Sequence, residues 1–224
     1  MIFDLIRDGL SADLIVNLLV RVFIIFCVLP IHEFAHAYVA NKLGDDTARL
    51  SGRMTTNPLA HIDPIGALMI ILVGFGYAKP VPVNIRRFKN RKLYMALTAF
   101  AGPLSNLLMA FVFTFAAVAV NNFADFTEFG LVYYLIVFLF TAADINISLA
   151  VFNLLPIPPL DGSRLLNVFL PNKYYYKIMQ YERYIVYGVL ALVFLGVLDG
   201  PIYFLTSILS NLILTIASLP FGLI

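Results

Sequence analysis

The sequence predicts an all-α polytopic membrane protein: a bundle of about five transmembrane helices with a re-entrant segment and a short extended edge strand. Three observations carry this expectation. The 224 residues are 61% hydrophobic and only 12% charged, against about 45–50% and about 25% in soluble domains. Several apolar runs reach the roughly 20 residues that a helical span needs. Between them lie stretches broken by glycine or proline that a regular span does not tolerate. The length has room for four to six spans and little else, so 1–224 reads as a single integral-membrane domain. Its parts are an interfacial N-terminus at 1–13, a core at 14–165, and a C-terminal loop and helical hairpin at 166–224. The net charge of +2 is too small to argue for nucleic acid; the partner that the composition requires is the lipid bilayer. Cys27 is the only cysteine, which excludes an internal disulfide and a thiolate zinc site, and it reads as a packing residue. The N-terminus lacks the basic stretch and small-residue cleavage site of a secretory signal.

Residues 1–13 mix apolar positions with Asp4, Arg7, Asp8 and Asp13. The run 14–43 is about 45 Å long if helical, so it must tilt, bend or project into water. Pro30 is placed to kink it. Arg21 inside this run either snorkels to the interface or pairs with a carboxylate. Gly44-Asp45-Asp46 ends the helix, and 47–64 is polar and broken. The apolar stretch 65–75 is too short for an ordinary span and suits a re-entrant segment. Lys79-Pro80-Val81-Pro82-Val83-Asn84 reads as an extended edge, followed by a basic loop with Arg86, Arg87, Lys89, Arg91 and Lys92. A span at 95–120 is interrupted by Ala101-Gly102-Pro103-Leu104-Ser105-Asn106, where small residues permit close helix approach. The loop 121–130 carries Asp125 and Glu128 and no basic residue. A further span at 131–155 runs into Pro156-Ile157-Pro158-Pro159-Leu160-Asp161-Gly162, which forbids a regular helix. After a basic loop with Arg164, Lys173, Lys177 and Arg183, the stretches 184–198 and 201–219 predict a hairpin turning at Asp199-Gly200. The positive-inside rule places the basic segments 42–53, 79–92 and 164–183 on the cytoplasmic side and 121–130 outside. This requires that 65–76 does not cross.

The first run contains His32-Glu33-Phe34-Ala35-His36. On a helix the two histidines share one face, one turn apart, and both reach one zinc ion at about 2.0–2.1 Å. Glu33 beside them is placed to take a proton from an attacking water. The alternative is two interfacial histidines and a glutamate at a helix end, but ionisable groups within an apolar span are rare and usually functional. A catalytic zinc takes three protein ligands. Two candidates stand for the third: His61, the only other histidine, and Asp161 in the proline-rich turn. An aspartate at membrane depth is costly unless paired or bound to a cation, which favours Asp161; His61 lies in a polar loop with many ways to be satisfied.

These motifs, in this order and spacing over about residues 30–165, resemble the site-2 protease family of intramembrane zinc metalloproteases. The stretch from Asn57 to Gly66, with Pro80 to Asn84, is similar to its compact bacterial and archaeal branch. The resemblance implies one zinc per chain held by His32, His36 and Asp161, with Glu33 as general base. It implies that Asn153 hydrogen-bonds the substrate near the scissile carbonyl; the other reading of Asn153 is a backbone cap in a broken helix. For Asn106 it leaves core bracing or a catalytic contact, and for His61 a substrate contact, a partner behind the ligands or a loop strut. Val81 and Val83 are expected to bind an unwound substrate along the extended edge. The implied setting is a prokaryotic plasma membrane, with a membrane-protein substrate and an active site nearer the cytoplasmic face. No PDZ module is present and no room is left for paired regulatory domains, so substrate selection and regulation are not expected to follow relatives that carry them. Three other classes compete, one of them a purely structural membrane protein, whose polar groups would have no reason to converge. A metal-binding scaffold does not need Glu33. A metal-ion transporter needs a path of carboxylates, where this chain offers chiefly Glu33, Asp144 and Asp161.

Overall fold

A single long helix carries the histidine pair into the middle of the structure, a computed structural model that describes residues 12–73, 76–124 and 130–222. It begins as α1 (Ala12–Phe23), widens into a π-helical turn (Ile24–Val28), and resumes as α2 (Leu29–Lys42). The wide turn answers Pro30. A proline ring clashes with the carbonyl four residues back and offers no N–H. In the π turn the Leu29 N–H bonds instead to the carbonyl of Ile24. The expected kink is therefore a π bulge, a device common at functional sites.

After a short helix α3 (Thr47–Leu50) and a polar loop, α4 (Pro64–Val73) enters the apolar layer. The chain then returns to where it started. A Cβ on Gly66 would lie 2.0 Å from the carbonyl oxygen of Tyr77, and Lys79 N–H bonds to the carbonyl of His61 at 2.7 Å. The two ends of the segment thus lie side by side. Arg21 explains how its buried end is tolerated. Its guanidinium donates to the carbonyls of Ile70 at 2.7 Å and Ile71 at 3.4 Å. A cation on a helix C-terminus satisfies the last carbonyls and complements the dipole. Backbone carbonyls are thus among the partners of Arg21, a kind that neither alternative from the sequence named.

The central element is α5 (Arg91–Phe123), which packs against α2 and α6 (Leu131–Leu154). The proline turn leads into the short α7 (Asp161–Leu166), laid on α5 and α6. Then follow α8 (Asn172–Gln180), α9 (Glu182–Phe194) and α10 (Asp199–Ser218), the last packed on α5 and α6. Among the described residues four helices are long and apolar enough to cross a membrane: Leu14–Lys42, Arg91–Phe123, Leu131–Leu154 and Asp199–Phe221. The chain is thus a multi-pass membrane protein. The expected hairpin supplies one of these; α9 has 13 residues, about 20 Å of helix, short of a bilayer core. Among the described residues no strand forms, and 77–84 lies in neither helix nor strand. Most of the N-terminal stretch 1–13, the tip at 74–75, and Asp125 and Glu128 in the acidic loop lie outside the described residues.

Two apolar clusters tie the long helices together. One joins Val16, Val20, Ile24 and Val28 to Ala142 on α6. The other joins Ala110, Ala143, Ile147 and Val151 to Ile213 on α10. Alanines at these contacts bring the backbones close, which is how helices associate where lipid removes the hydrophobic drive.

Candidate metal centre

The centre forms where α2, α5 and α7 meet. His32 and His36 are both buried, and α5 holds each ring from behind. His36 Nδ1 lies 2.7 Å from the carbonyl of Thr98. A carbonyl only accepts, so this nitrogen carries the proton. His32 Nδ1 likewise donates to Asn106 Oδ1 at 3.3 Å. In the neutral ring the other nitrogen then holds a lone pair. The two Nε2 atoms face each other at 3.0 Å, and both face Asp161 Oδ2, at 3.5 Å from His32 and 3.2 Å from His36. Three acceptors converging away from water repel unless a cation sits among them. Tetrahedral ligands bonded at about 2.0–2.1 Å lie about 3.3–3.4 Å apart, and the observed separations bracket that value. The donor set fits zinc in chemistry and in size.

Two glycines make the approach possible. A Cβ on Gly102 would lie 2.3 Å from His36 Nε2 and 2.6 Å from His32 Cε1, so α5 presents no side chain there. A Cβ on Gly162 would lie 2.2 Å from the carbonyl oxygen of Leu154. The N-terminal turn of α7 thus rests on the backbone at the end of α6, which sets Asp161 opposite the histidines.

Among the described residues, then, Asp161 joins the histidine pair and His61 does not. His61 is fully buried elsewhere, with Nε2 2.7 Å from the carbonyl of Thr55. Its position is that of a strut in the 53–66 loop. Glu33 is partly buried beside the cluster, and its Oε2 accepts the N–H of Val81 at 3.0 Å. Asn106 stands behind His32 rather than in the open. Asn153 donates Nδ2–H to the carbonyl of Leu149 at 3.0 Å, a bond within its own helix. The Val83 side chain packs against Ala40, Phe88 and Met95, which leaves its backbone as the part that a ligand can meet.

Several contributors had no signal of their own in the sequence. Thr98 acts through a backbone carbonyl, which any residue type supplies. Arg53 clamps the carbonyls of Lys79 and Pro80 at 2.6 and 3.2 Å, and buried Asp45 accepts the N–H of Asn84 at 2.6 Å. Both partners are remote in the chain. Gly102 was visible as part of a small-residue motif, although its task was not.

Known proteins agree with this architecture. Residues 124–196 match the family model described as Peptidase family M50. YwhC of Bacillus subtilis (strain 168), named a "Putative zinc metalloprotease", is 44% identical over 158 residues, covering 68% of this chain and 70% of that protein. MJ0611 of Methanocaldococcus jannaschii, described in the same words, is 32% identical over 136 residues, 61% of this chain and 63% of that protein. Rip2 of Mycolicibacterium smegmatis, again so described, is 29% identical over 139 residues, 60% of this chain and 51% of that protein. No solved structure matches the chain. The extent and identity of the match to YwhC, together with the family model, show that the chain belongs to Peptidase family M50, the site-2 proteases.

Proposed function

We propose that the chain is an intramembrane zinc metalloprotease that hydrolyses peptide bonds in or near transmembrane segments of membrane-protein substrates. The observation that carries this is the convergence of Asp161 on His32 and His36, which lie with Glu33 in a helix long and apolar enough to span a bilayer. His32, His36 and Asp161 would hold one zinc ion per chain. Bound there, zinc supplies Lewis-acid polarisation of the scissile carbonyl and acidifies water. Glu33 accepts the proton of the attacking water and returns it to the leaving amine. Asn153 keeps a second amide N–H beyond its bond to Leu149, and in this reading that N–H meets the carbonyl oxygen of the substrate. The extended run 80–84 is where we place the locally unwound substrate backbone, through main-chain groups that the fold has not already used. Charge asymmetry supports a site nearer the cytoplasmic face, with water reaching it along the polar loops 45–64 and 156–163.

The test is metal content together with cleavage of a transmembrane substrate panel in detergent, wild type beside Glu33→Gln. The expected result is about one zinc in both proteins and cleavage by wild type alone. Metal in both with cleavage by neither would favour a scaffold. Cleavage retained by Glu33→Gln would remove Glu33 from its role, and a wild type without metal would overturn the proposal.

A further inference from the structure

The extended run 77–84 is pinned at both ends. On one side Lys79 N–H bonds to the carbonyl of His61 at 2.7 Å, and Arg53 donates to the carbonyls of Lys79 and Pro80. On the other, Asn84 N–H bonds to buried Asp45 at 2.6 Å, and Val83 is anchored in the cluster of Ala40, Phe88 and Met95. Between the pins the sequence is Pro80-Val81-Pro82. Proline has no N–H, so Val81 supplies the only backbone donor of the triplet. The rings also fix φ on either side of it, which holds its direction. That one donor lies 3.0 Å from Glu33 Oε2.

We propose that the Val81 N–H is a positioning group for the reaction: it holds the Glu33 carboxylate by Oε2 and leaves Oε1 to accept the proton of the attacking water. An unrestrained glutamate samples several rotamers, and a misplacement of about 1 Å in a reacting group can cost about 100-fold in rate. A backbone amide is a suitable restraint because it does not exchange its proton with the base at neutral pH. The triplet thus points its single donor inward, at the base. A substrate strand lying on the same run has to use the carbonyls and Val83 instead. The inference rests on the proteolytic reading above.

The test replaces Val81 by its α-hydroxy acid in the full-length chain, which exchanges the N–H for an ester oxygen and keeps the side chain. The same exchange at Ala78 is the control. A second measurement follows the ¹⁵N-valine amide resonances of wild type and of Glu33→Gln. The ester at Val81 should lower kcat about 10–100-fold, the loss of a hydrogen bond to a charged group, with KM and metal content unchanged. The ester at Ala78 should leave kcat within about twofold. Glu33→Gln should move the Val81 amide proton more than any other valine amide. An unchanged kcat at Val81 overturns the proposal. A raised KM alone overturns it by showing that the N–H serves the substrate, and lost metal overturns it by showing a mere strut. If wild type cleaves nothing, the proteolytic reading fails, and an unmoved Val81 resonance separately overturns the contact with Glu33.

Discussion

Adding one methyl group at Gly102 should empty the metal centre. In Gly102→Ala the new carbon would sit 2.3 Å from His36 Nε2, 2.5 Å from His36 Cε1 and 2.6 Å from His32 Cε1. Non-bonded heavy atoms rest at about 3.5–4.0 Å, so the overlap is about 1 Å. Neither ring can swing aside at low cost, because each is tied at Nδ1, one to Thr98 and one to Asn106. Relief requires breaking those bonds or prising α2 from α5, and overpacking of this kind costs about 1–3 kcal/mol. Metal–ligand bonds tolerate about ±0.2 Å, a fraction of the displacement needed. Losing a single orienting partner of a histidine ligand already lowers affinity about 10–100-fold. Here both ligands move, so zinc affinity should fall about 100-fold or more, roughly 2.7 kcal/mol. Competition against a chelator of known affinity measures this, with thermal unfolding in detergent recorded alongside. Leu108→Ala on the exposed face of α5 serves as the control for a general loss of packing. A Gly102→Ala protein that binds zinc as tightly as wild type would refute the close approach of α5 to the two rings.

Three further outcomes follow from the same geometry. Asn106→Ala removes the acceptor behind His32 and should weaken zinc binding about 10–100-fold, read by titration; Asn106→Asp, which keeps an acceptor, should lose less. Arg21→Leu strips the donor from the carbonyls of Ile70 and Ile71 and should cost about 1–3 kcal/mol for the unsatisfied groups. Faster proteolytic nicking within 64–79 and a lower unfolding midpoint check this. Acidification should release the metal, because each imidazole must be neutral to ligate. A zinc-sensitive dye follows the release as the pH is lowered.

Legibility in the sequence depended on whether the decisive partner was local. The histidine pair and Glu33 announce themselves because three ionisable groups within one helical turn are conspicuous in an apolar run. Asp161 was inferable from the cost of a lone carboxylate beside prolines at membrane depth. The break in the chain's spans at 65–75 followed from a stretch too short to cross, and its helix has ten residues. What escaped was set by distant contacts. Arg21 offered snorkelling or a carboxylate, and its contact with the end of a helix some fifty positions later, at |i−j| of 49, was not foreseen. The Val81 N–H belongs to the backbone, and no residue type marks it. Asn106 sits in a motif that reads as close packing, and only the position of α2 turns it towards His32. The stretch 184–198 carries enough apolar residues for a span, yet its helix stops at Phe194, with Gly196 in a left-handed turn (φ 68°).

The ligands come from the two far ends of the core: a helix made early and a turn made only after three of the four long helices have been synthesised. A nascent chain therefore holds half a site. Two imidazoles without Asp161 bind metal weakly, and Glu33 has nothing to act on. Competence arrives only when the turn after α6 docks against α5. On the proteolytic reading, assembly order would act as a safety catch, keeping the chain inert among other unfolded helices until the turn at Asp161 has docked. The same connectivity makes the captured ion a rivet across the bundle, which predicts that stripping the metal loosens α7 and its neighbours before it unseats the α5–α6 pair.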